Sequence, residues 1–473
     1  MVFSDLLEEK ILVYDGSKGA VMMRMGLAGG ECADLWNIRR PEKVFGLYTS
    51  YVEAGADVIQ TNTMQGSRYH LEARGIYEKL RDINSEGVRL AVKAVRDSGR
   101  NCLVAASIGP LGGLMSPVGD LTFDDAVYAF SEQIESVSEA GADILHFETF
   151  TDLAELRAAV FAARSVTSLP VIATMSYMKN GVAMMGDDAY LSALFLKAFG
   201  VSCAGANCLL YPDEMLPVLQ RMAVVGVPLC SKPNGENAEH SDVETFYRLA
   251  FDYAACGVRL MGGCCGSGPE HVAAIRKAVD EYSIGGKGNT SPSLLHFGCG
   301  EPAGEEAPPQ YITYHPVWIE RWRAREMLIS PKQAIKATDA AQAIAGGLAY
   351  TISPDALEDE EDVIAALIIA EKGDAKVCVV SFEIANENER YSEGATVMER
   401  EKERLVALSK QIAVNAKLYL SKPIVIKTNV PEVLENSLRY YCGIAGTDVG
   451  MQKRSAHILM QIAEKYKSVI IAT

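Results

Sequence analysis

Eight short apolar runs recur through roughly the first 270 residues, each separated from the next by an amphipathic stretch of helical period. They are Ile11–Tyr14, Val58–Ile59, Cys102–Ala106, Ile144–Phe147, Val171–Ala173, Ala204–Leu210, Val227–Cys230 and Val258–Met261. Strand-length runs alternating with helices at this spacing predict an α/β fold, a (β/α)8 TIM barrel. A short internal repeat supports the reading. Glu-Ala-Gly-Ala-Asp stands at 53–57 and again at 139–143, each time closing a helical stretch with Gly as cap and leading into a strand. Helix starts are marked by Thr122 with Asp125, Ser241 with Glu244, and Pro269 with Glu270.

Barrels of this kind place their chemistry where the strands end at the carboxyl side. Those ends supply Asp15, Gln60 to Thr63, Ser107, Glu148, Ser176, Cys208, Asn234, and Cys264 with Cys265. The most demanding of them is Gly262-Gly263-Cys264-Cys265-Gly266, which ends the eighth run just before a helix start. Adjacent side chains on a strand point to opposite faces, so two neighbouring thiols converge only if the backbone leaves strand geometry, which these glycines permit. Convergence on a metal ion is the natural reading, with two buried cysteines or a vicinal disulfide as the alternatives. Cys208 is the candidate third ligand, because it too ends an apolar run and begins a polar turn. Three thiolates leave the fourth position of a tetrahedral zinc ion open, the pattern of catalytic sites.

Gly-Gly-Cys-Cys-Gly followed by Gly268-Pro269-Glu270-His271, with Ala206-Asn207-Cys208 upstream, resembles the zinc-dependent homocysteine S-methyltransferase family, including the N-terminal module of cobalamin-dependent methionine synthase. Tyr14-Asp15-Gly16-Ser17 and Gly55-Ala56-Asp57-Val58-Ile59-Gln60-Thr61-Asn62-Thr63 extend the resemblance, which covers roughly residues 5 to 282. It implies one Zn2+ per chain on Cys208, Cys264 and Cys265, with homocysteine as the methyl acceptor. It also implies that Glu148 receives the substrate ammonium, with Asp15 near the same end of the ligand. Read from the residues alone, Glu148 is a carboxylate closing an apolar strand, costly to bury unless paired. Ser107 and Asn234 serve either as substrate contacts or as loop hydrogen bonds. The chain departs from the usual pattern at Met64-Gln65-Gly66, where an aromatic commonly follows Thr-Asn-Thr, and at Ser231-Lys232 and Glu236, which flank a retained Pro-Asn-Gly.

Composition narrows the partners. With 45 Lys and Arg against 61 Asp and Glu, the formal charge is −16, which argues against a nucleic-acid groove or an anionic membrane surface. No apolar run approaches the ~20 residues of a membrane helix, and the first residues lack the pattern of a signal peptide. A soluble, cytoplasmic enzyme is expected. Of eleven cysteines, Cys32, Cys102, Cys203, Cys230, Cys256, Cys299, Cys378 and Cys442 are expected to be small core residues with reduced thiols.

The barrel is expected to occupy residues 1–282, followed by a linker over 283–310, where Gly, Pro and Ser accumulate, and a smaller βα domain over 311–473. That domain carries Val377–Val380, a long charged helix near 397–418, Pro423–Ile426 and Val469–Ile471. It is faintly similar to part of a pterin-binding barrel but too short to complete one. An exposed edge or apolar face there is expected to pack against the barrel, a second copy or a corrinoid protein. The chain shows no Asp-x-His-x-x-Gly corrinoid signature, so a methyl-corrinoid donor is expected on a partner protein. The alternatives are a small donor (S-methylmethionine, betaine or methyl-tetrahydrofolate) and a scaffolding role in a methyl-transfer complex.

Overall fold

The computed structural model describes residues 3–236, 242–284, 327–330, 332–354, 357–382, 395–448 and 456–471. Eight parallel strands form the first sheet: β1 (Leu12–Val13), β2 (Val58–Gln60), β3 (Leu103–Ile108), β4 (Ile144–Phe150), β5 (Val171–Met175), β6 (Cys203–Asn207), β7 (Leu229–Lys232) and β8 (Val258–Met261). Neighbours in sequence are neighbours in space, and β1 also pairs with β8. The ring closes between β1 and β2, where the Asp15 amide donates to the Val58 carbonyl at 3.1 Å and the Asp57 amide to the Val13 carbonyl at 2.7 Å. The expected barrel is therefore present, every strand falling on one of the eight apolar runs.

The repeated pentapeptide has a specific task. Gly55 and Gly141 both adopt φ near +101°, a left-handed turn that a side chain disfavours and that ends each helix. The aspartates that follow then bind the strand edge: Asp57 Oδ2 accepts from the Val13 amide at 2.9 Å, and Asp143 Oδ2 from the Val104 amide at 2.8 Å. The same five residues thus make the same helix-to-strand corner twice. Thr122 caps helix Phe123–Glu139 by accepting from the Asp125 amide, as expected. Helix Val243–Ala255 is instead capped by Asp242, whose carboxylate accepts from the Thr245 amide at 2.7 Å. The expected Ser241 cap is thereby corrected by one residue, an aspartate outranking its neighbour because its charge also favours the helix N-terminus; Ser241 itself lies outside the described residues.

Strand alternation divides the barrel interior into layers. Its floor is apolar, with Leu12, Val58, Ala105, Ile144, Ile172, Cys203, Cys230 and Leu260 buried together, one from each strand, and closed below by Phe3 and Leu7 of helix Phe3–Glu9. Cys203 and Cys230 are thus core, and Cys32, Cys102, Cys256, Cys378 and Cys442 are buried free thiols as well; Cys299 lies outside the described residues.

Helix Pro269–Ile284 runs beyond residue 282, and most of the expected linker, from 285, is outside the described residues. After it, β9 (Met327–Ile329) and β10 (Ala334–Lys336) form an antiparallel pair. A second parallel sheet follows, in the order β11 (Ala349–Ile352), β12 (Val377–Phe382), β13 (Ile424–Thr428), β14 (Gly446–Asp448) and β15 (Val469–Ile470). It carries βα units short of a closed barrel. The long helix runs from Ala395 to Tyr419. No helix among the described residues is long and apolar enough to cross a membrane.

This second unit packs on barrel helices Phe123–Glu139 and Leu153–Val166. Arg157, 1% exposed, donates to the Leu438 and Arg439 carbonyls, the last turn of helix Pro431–Tyr440. A guanidinium there meets orphan carbonyls and the negative end of the helix dipole at once. Burial lowers its pKa only to about 10, so it stays charged at neutral pH. Lys417 forms a buried ion pair with Asp152, Arg439 and Tyr440 bind Asp124, and Phe161 stacks on Tyr466 with centroids 5.6 Å apart.

Two outcomes test this packing. Arg157→Met strands two buried carbonyls, at about 1–3 kcal/mol each, and should lower the chain's thermal midpoint and expose the helix Pro431–Tyr440 to limited proteolysis. Beside this contact, burial pushes the Glu155 carboxyl up to about 7 from 4.5, although it accepts from the Leu111 amide. The folded state keeps that proton where the unfolded chain has lost it, so this group's contribution to stability falls as pH rises from about 4.5 to 7. Glu155→Gln should be neutral near pH 4 and stabilising by on the order of 2 kcal/mol above pH 7, read from denaturant melts at both pH values.

Candidate active site

Two residues above the apolar floor, the inward positions turn polar. They hold Gln60 on β2, His146 on β4, Thr174 on β5 and Lys232 on β7, with Tyr14 and Asp15 after β1, and all are buried. Lys232 Nζ donates to Asp15 Oδ1 at 2.7 Å and to Gln60 Oε1 at 2.5 Å, and sits 3.9 Å from the Tyr14 ring centroid. Lys18 Nζ reaches Asp15 Oδ2 at 3.2 Å and Gln60 Oε1 at 3.1 Å. The Gln60 amide completes the set, donating to Asp15 Oδ2 at 2.7 Å.

Because lysines only donate, Gln60 must turn its oxygen toward them and its NH2 group toward His146 Nδ1, 2.8 Å away. His146 Nδ1 is thus an acceptor, also within 3.0 Å of the Tyr14 hydroxyl, and its proton belongs on Nε2, which meets Thr174 Oγ1 at 3.0 Å. Thr174 passes its own proton to Asn207 Oδ1 at 2.7 Å. Asn207 Nδ2 ends the chain, donating to Thr149 Oγ1 at 2.7 Å and to Cys264 Sγ at 3.8 Å. Every partner along this path has one consistent role. Burial holds His146 down to about 3, so the imidazole is a neutral link.

The three cysteines gather at the end of that path. Their sulfurs all lie within 4.8 Å of one another, Cys208 and Cys265 at 3.7 Å, and all three are partly exposed. Cys208 turns its thiol toward the other two by adopting φ +60°, left-handed backbone that a non-glycine residue rarely occupies. On the other side Gly266 takes φ +78°, and a side chain there would strike the Gly235 backbone at 2.3 Å. The loops hold each other: the Cys264 amide donates to the Pro233 carbonyl at 2.8 Å, and Gly235 to the Cys265 carbonyl at 2.5 Å. Hydrogen bonds from Cys264 and Cys265 hold the Cys208 thiol down to about 3, and the bond to Cys208 raises Cys264 to about 11. Cys265 is raised as well, first by its bond to Cys208, so the three thiols by themselves share a single negative charge on Cys208, and a cation would be needed to hold all three as thiolates. Four sulfurs around a tetrahedral ion at about 2.3 Å stand about 3.8 Å apart, so the observed spacing fits a thiophilic metal.

The remaining candidates fall on the same rim. Glu148, 5% exposed, accepts from the Ser107 hydroxyl. Ser176 donates to the Asn207 carbonyl at 2.9 Å. Asn234 sits in the loop that clasps the cysteines, its Oδ1 accepting from the Glu236 amide at 2.9 Å. Sequence reasoning assigned no role to Lys18, His146, Thr174, Asn207 or Lys232. The available signal was position: His146, Thr174 and Lys232 lie two residues beyond a floor residue and Asn207 lies beside Cys208, whereas Lys18, three residues after Asp15, carried none.

A model of the family described as homocysteine S-methyltransferase matches residues 12–279, more than half of the chain. The chain belongs to the homocysteine S-methyltransferase family. Methionine synthase of Mycobacterium tuberculosis is 28% identical over 301 residues, 58% of this chain and 25% of that protein. The Mycobacterium leprae methionine synthase is 28% identical over 311 residues, 60% of this chain and 26% of its own length. The chain thus spans about a quarter of these curated relatives. Among solved structures, the homocysteine methyltransferase MmuM from Escherichia coli in its metallated form is 23% identical, with a TM-score of 0.50, over 58% of this chain and 98% of that one. This likeness establishes the shared barrel.

The polar path makes a testable statement about His146. Its ring resonances, assigned by comparison with His146→Gln, should stay at neutral positions down to about pH 4, whereas an ordinary imidazole titrates near 6.5.

Proposed function

We propose that this family member transfers a methyl group to the thiol of homocysteine, using zinc held by Cys208, Cys264 and Cys265. The observation that carries the reading is the convergence of three thiols within 4.8 Å at the carboxyl ends of β6 and β8. Three sulfur donors select a soft ion such as zinc over magnesium or calcium. A bound zinc ion lowers the pKa of a thiol that joins it, so the acceptor sulfur is nucleophilic at neutral pH.

The chain's own residues supply the rest. Asn207 donates a hydrogen bond to Cys264 and fixes that sulfur while Cys208 and Cys265 face it. Glu148 has no cation among the described residues, and a buried carboxylate with only a hydroxyl partner suits a ligand ammonium. Ser107 orients that carboxylate. The buried apolar floor keeps water out from below, and the partly exposed cysteines leave access from the mouth. Methyl transfer to a thiolate needs no general acid or base at sulfur, which agrees with the neutral, fully engaged state of His146.

The donor is a methyl-corrinoid protein, a reading supported by the sequence resemblance to the first module of cobalamin-dependent methionine synthase and by the methionine synthase relatives. Residues 311–473 act as the docking unit for that donor, a role consistent with the packing of helices Ala395–Tyr419 and Pro431–Tyr440 on the barrel. Homocysteine should be methylated with a methyl-corrinoid donor, and only slowly with S-methylmethionine, betaine or methyl-tetrahydrofolate; preference for any of these would replace the donor assignment. The purified protein should contain about one zinc per chain. Changing Cys208, Cys264 or Cys265 to Ala should each remove the metal, measured by elemental analysis together with methyl transfer. Full zinc retention in Cys208→Ala would remove it from the ligand set.

A further inference from the structure

The charges around the barrel mouth do not balance locally. Two ammonium groups, Lys18 and Lys232, share the single carboxylate of Asp15, while Glu148 stands across the mouth without a cation among the described residues. One end of the mouth therefore carries an excess positive charge and the other an excess negative one, both largely out of water. Such separated charges are costly to bury unless a ligand completes them. A ligand with both signs of charge does so without adding net charge.

The two lysines differ in what they have left to offer. Lys232 is 2% exposed in its side chain, and Asp15, Gln60 and the face of the Tyr14 ring occupy it. Lys18 keeps 11% exposure and engages only Asp15 and Gln60, so one of its three N–H donors has no partner among the described residues. Asp15 already accepts from both lysines and from the Gln60 amide. Its carboxylate is thereby taken up in holding the lysines, so we assign it a positioning role at the carboxylate end and not the place near the ligand ammonium that the family resemblance implies. Lys18 also belongs to the cysteine rim: the amide of its neighbour Ser17 donates to the Ser267 carbonyl at 3.2 Å, and the Gly263 amide to the Asp15 carbonyl at 3.1 Å. Lys18 follows β1, Glu148 lies near the end of β4 and Cys208 follows β6, so all three stand at the carboxyl end of the same closed barrel.

Resting on the homocysteine reading above, we infer that Lys18 is the specificity residue for the acceptor's carboxylate, so that the site reads an α-amino acid thiol at both ends, ammonium at Glu148 and carboxylate at Lys18. Lys232 and Asp15 set the position and charge of Lys18. A thiol lacking the carboxylate would leave the excess positive charge uncompensated and should bind more weakly for that reason.

Calorimetric titration of the zinc-loaded full chain with three thiols tests the assignment: homocysteine, its decarboxylated counterpart 3-aminopropane-1-thiol, and its deaminated counterpart 4-sulfanylbutanoate. In Lys18→Met the Kd for homocysteine and 4-sulfanylbutanoate should rise about ten- to a hundredfold, the range of a charge-assisted hydrogen bond, while 3-aminopropane-1-thiol binds as in the unsubstituted protein. Lys18→Arg should restore much of the loss, and Lys18→Gln, which keeps hydrogen bonds to Asp15 without the charge, serves if the Met variant does not fold. An equal loss for all three thiols, or no loss, would overturn the inference while leaving the thiol site in place. Failure of every thiol to bind the unsubstituted protein would overturn the homocysteine reading and the inference with it.

Discussion

In a closed parallel barrel each strand is covered on both faces, and its inward side chains recur at every second residue. Most of this molecule follows from that spacing. The eight floor residues seal the interior, the next inward positions are Gln60, His146, Thr174 and Lys232, and the positions after those reach the rim at Glu148 and Ser176. A slip of one residue in β4, for example, would send His146 outward among the helices and bring Leu145 or Phe147 into the polar layer. The cysteines depart from this spacing because the backbone does: Cys208 lies in left-handed geometry, and Gly266 turns the chain so that adjacent thiols face one metal-sized space.

Polar groups buried in a barrel are stable only when their partners are fully specified. Here donors with a single possible role, the lysines and the Gln60 amide group, fix the direction of every later bond as far as Cys264. His146 is the point at which the choice would otherwise be ambiguous, and Gln60 removes the ambiguity. The result is a layer of directly bonded side chains between the apolar floor and the rim.

Much of this was legible in the residues. The eight runs became the eight strands, the repeated Glu-Ala-Gly-Ala-Asp became two equivalent corners, and Cys208, Cys264 and Cys265 came together across the ends of β6 and β8. What escaped notice was chemistry hidden by burial. A lysine between Ser231 and Pro233 reads as a loop cation, and only the closed barrel reveals that it points inward at Asp15. In the second unit, β11 and β14 were missed because one follows a Gly346-Gly347 pair and is half-exposed, while the other is three residues long and begins with glycine. Such strands are defined by their neighbours in the sheet, for which local pattern has no signal.

The backbone at Cys208 has a consequence for sequence change. An L residue held at φ +60° costs on the order of 1 kcal/mol relative to glycine, so the position sets ligand supply against conformational ease. Glycine or asparagine would relax the turn while deleting the sulfur. On the proposed ligand role, loss of that role would let drift at residue 208 run downhill in folding free energy, so the thiol is held there against a conformational gradient and not by it.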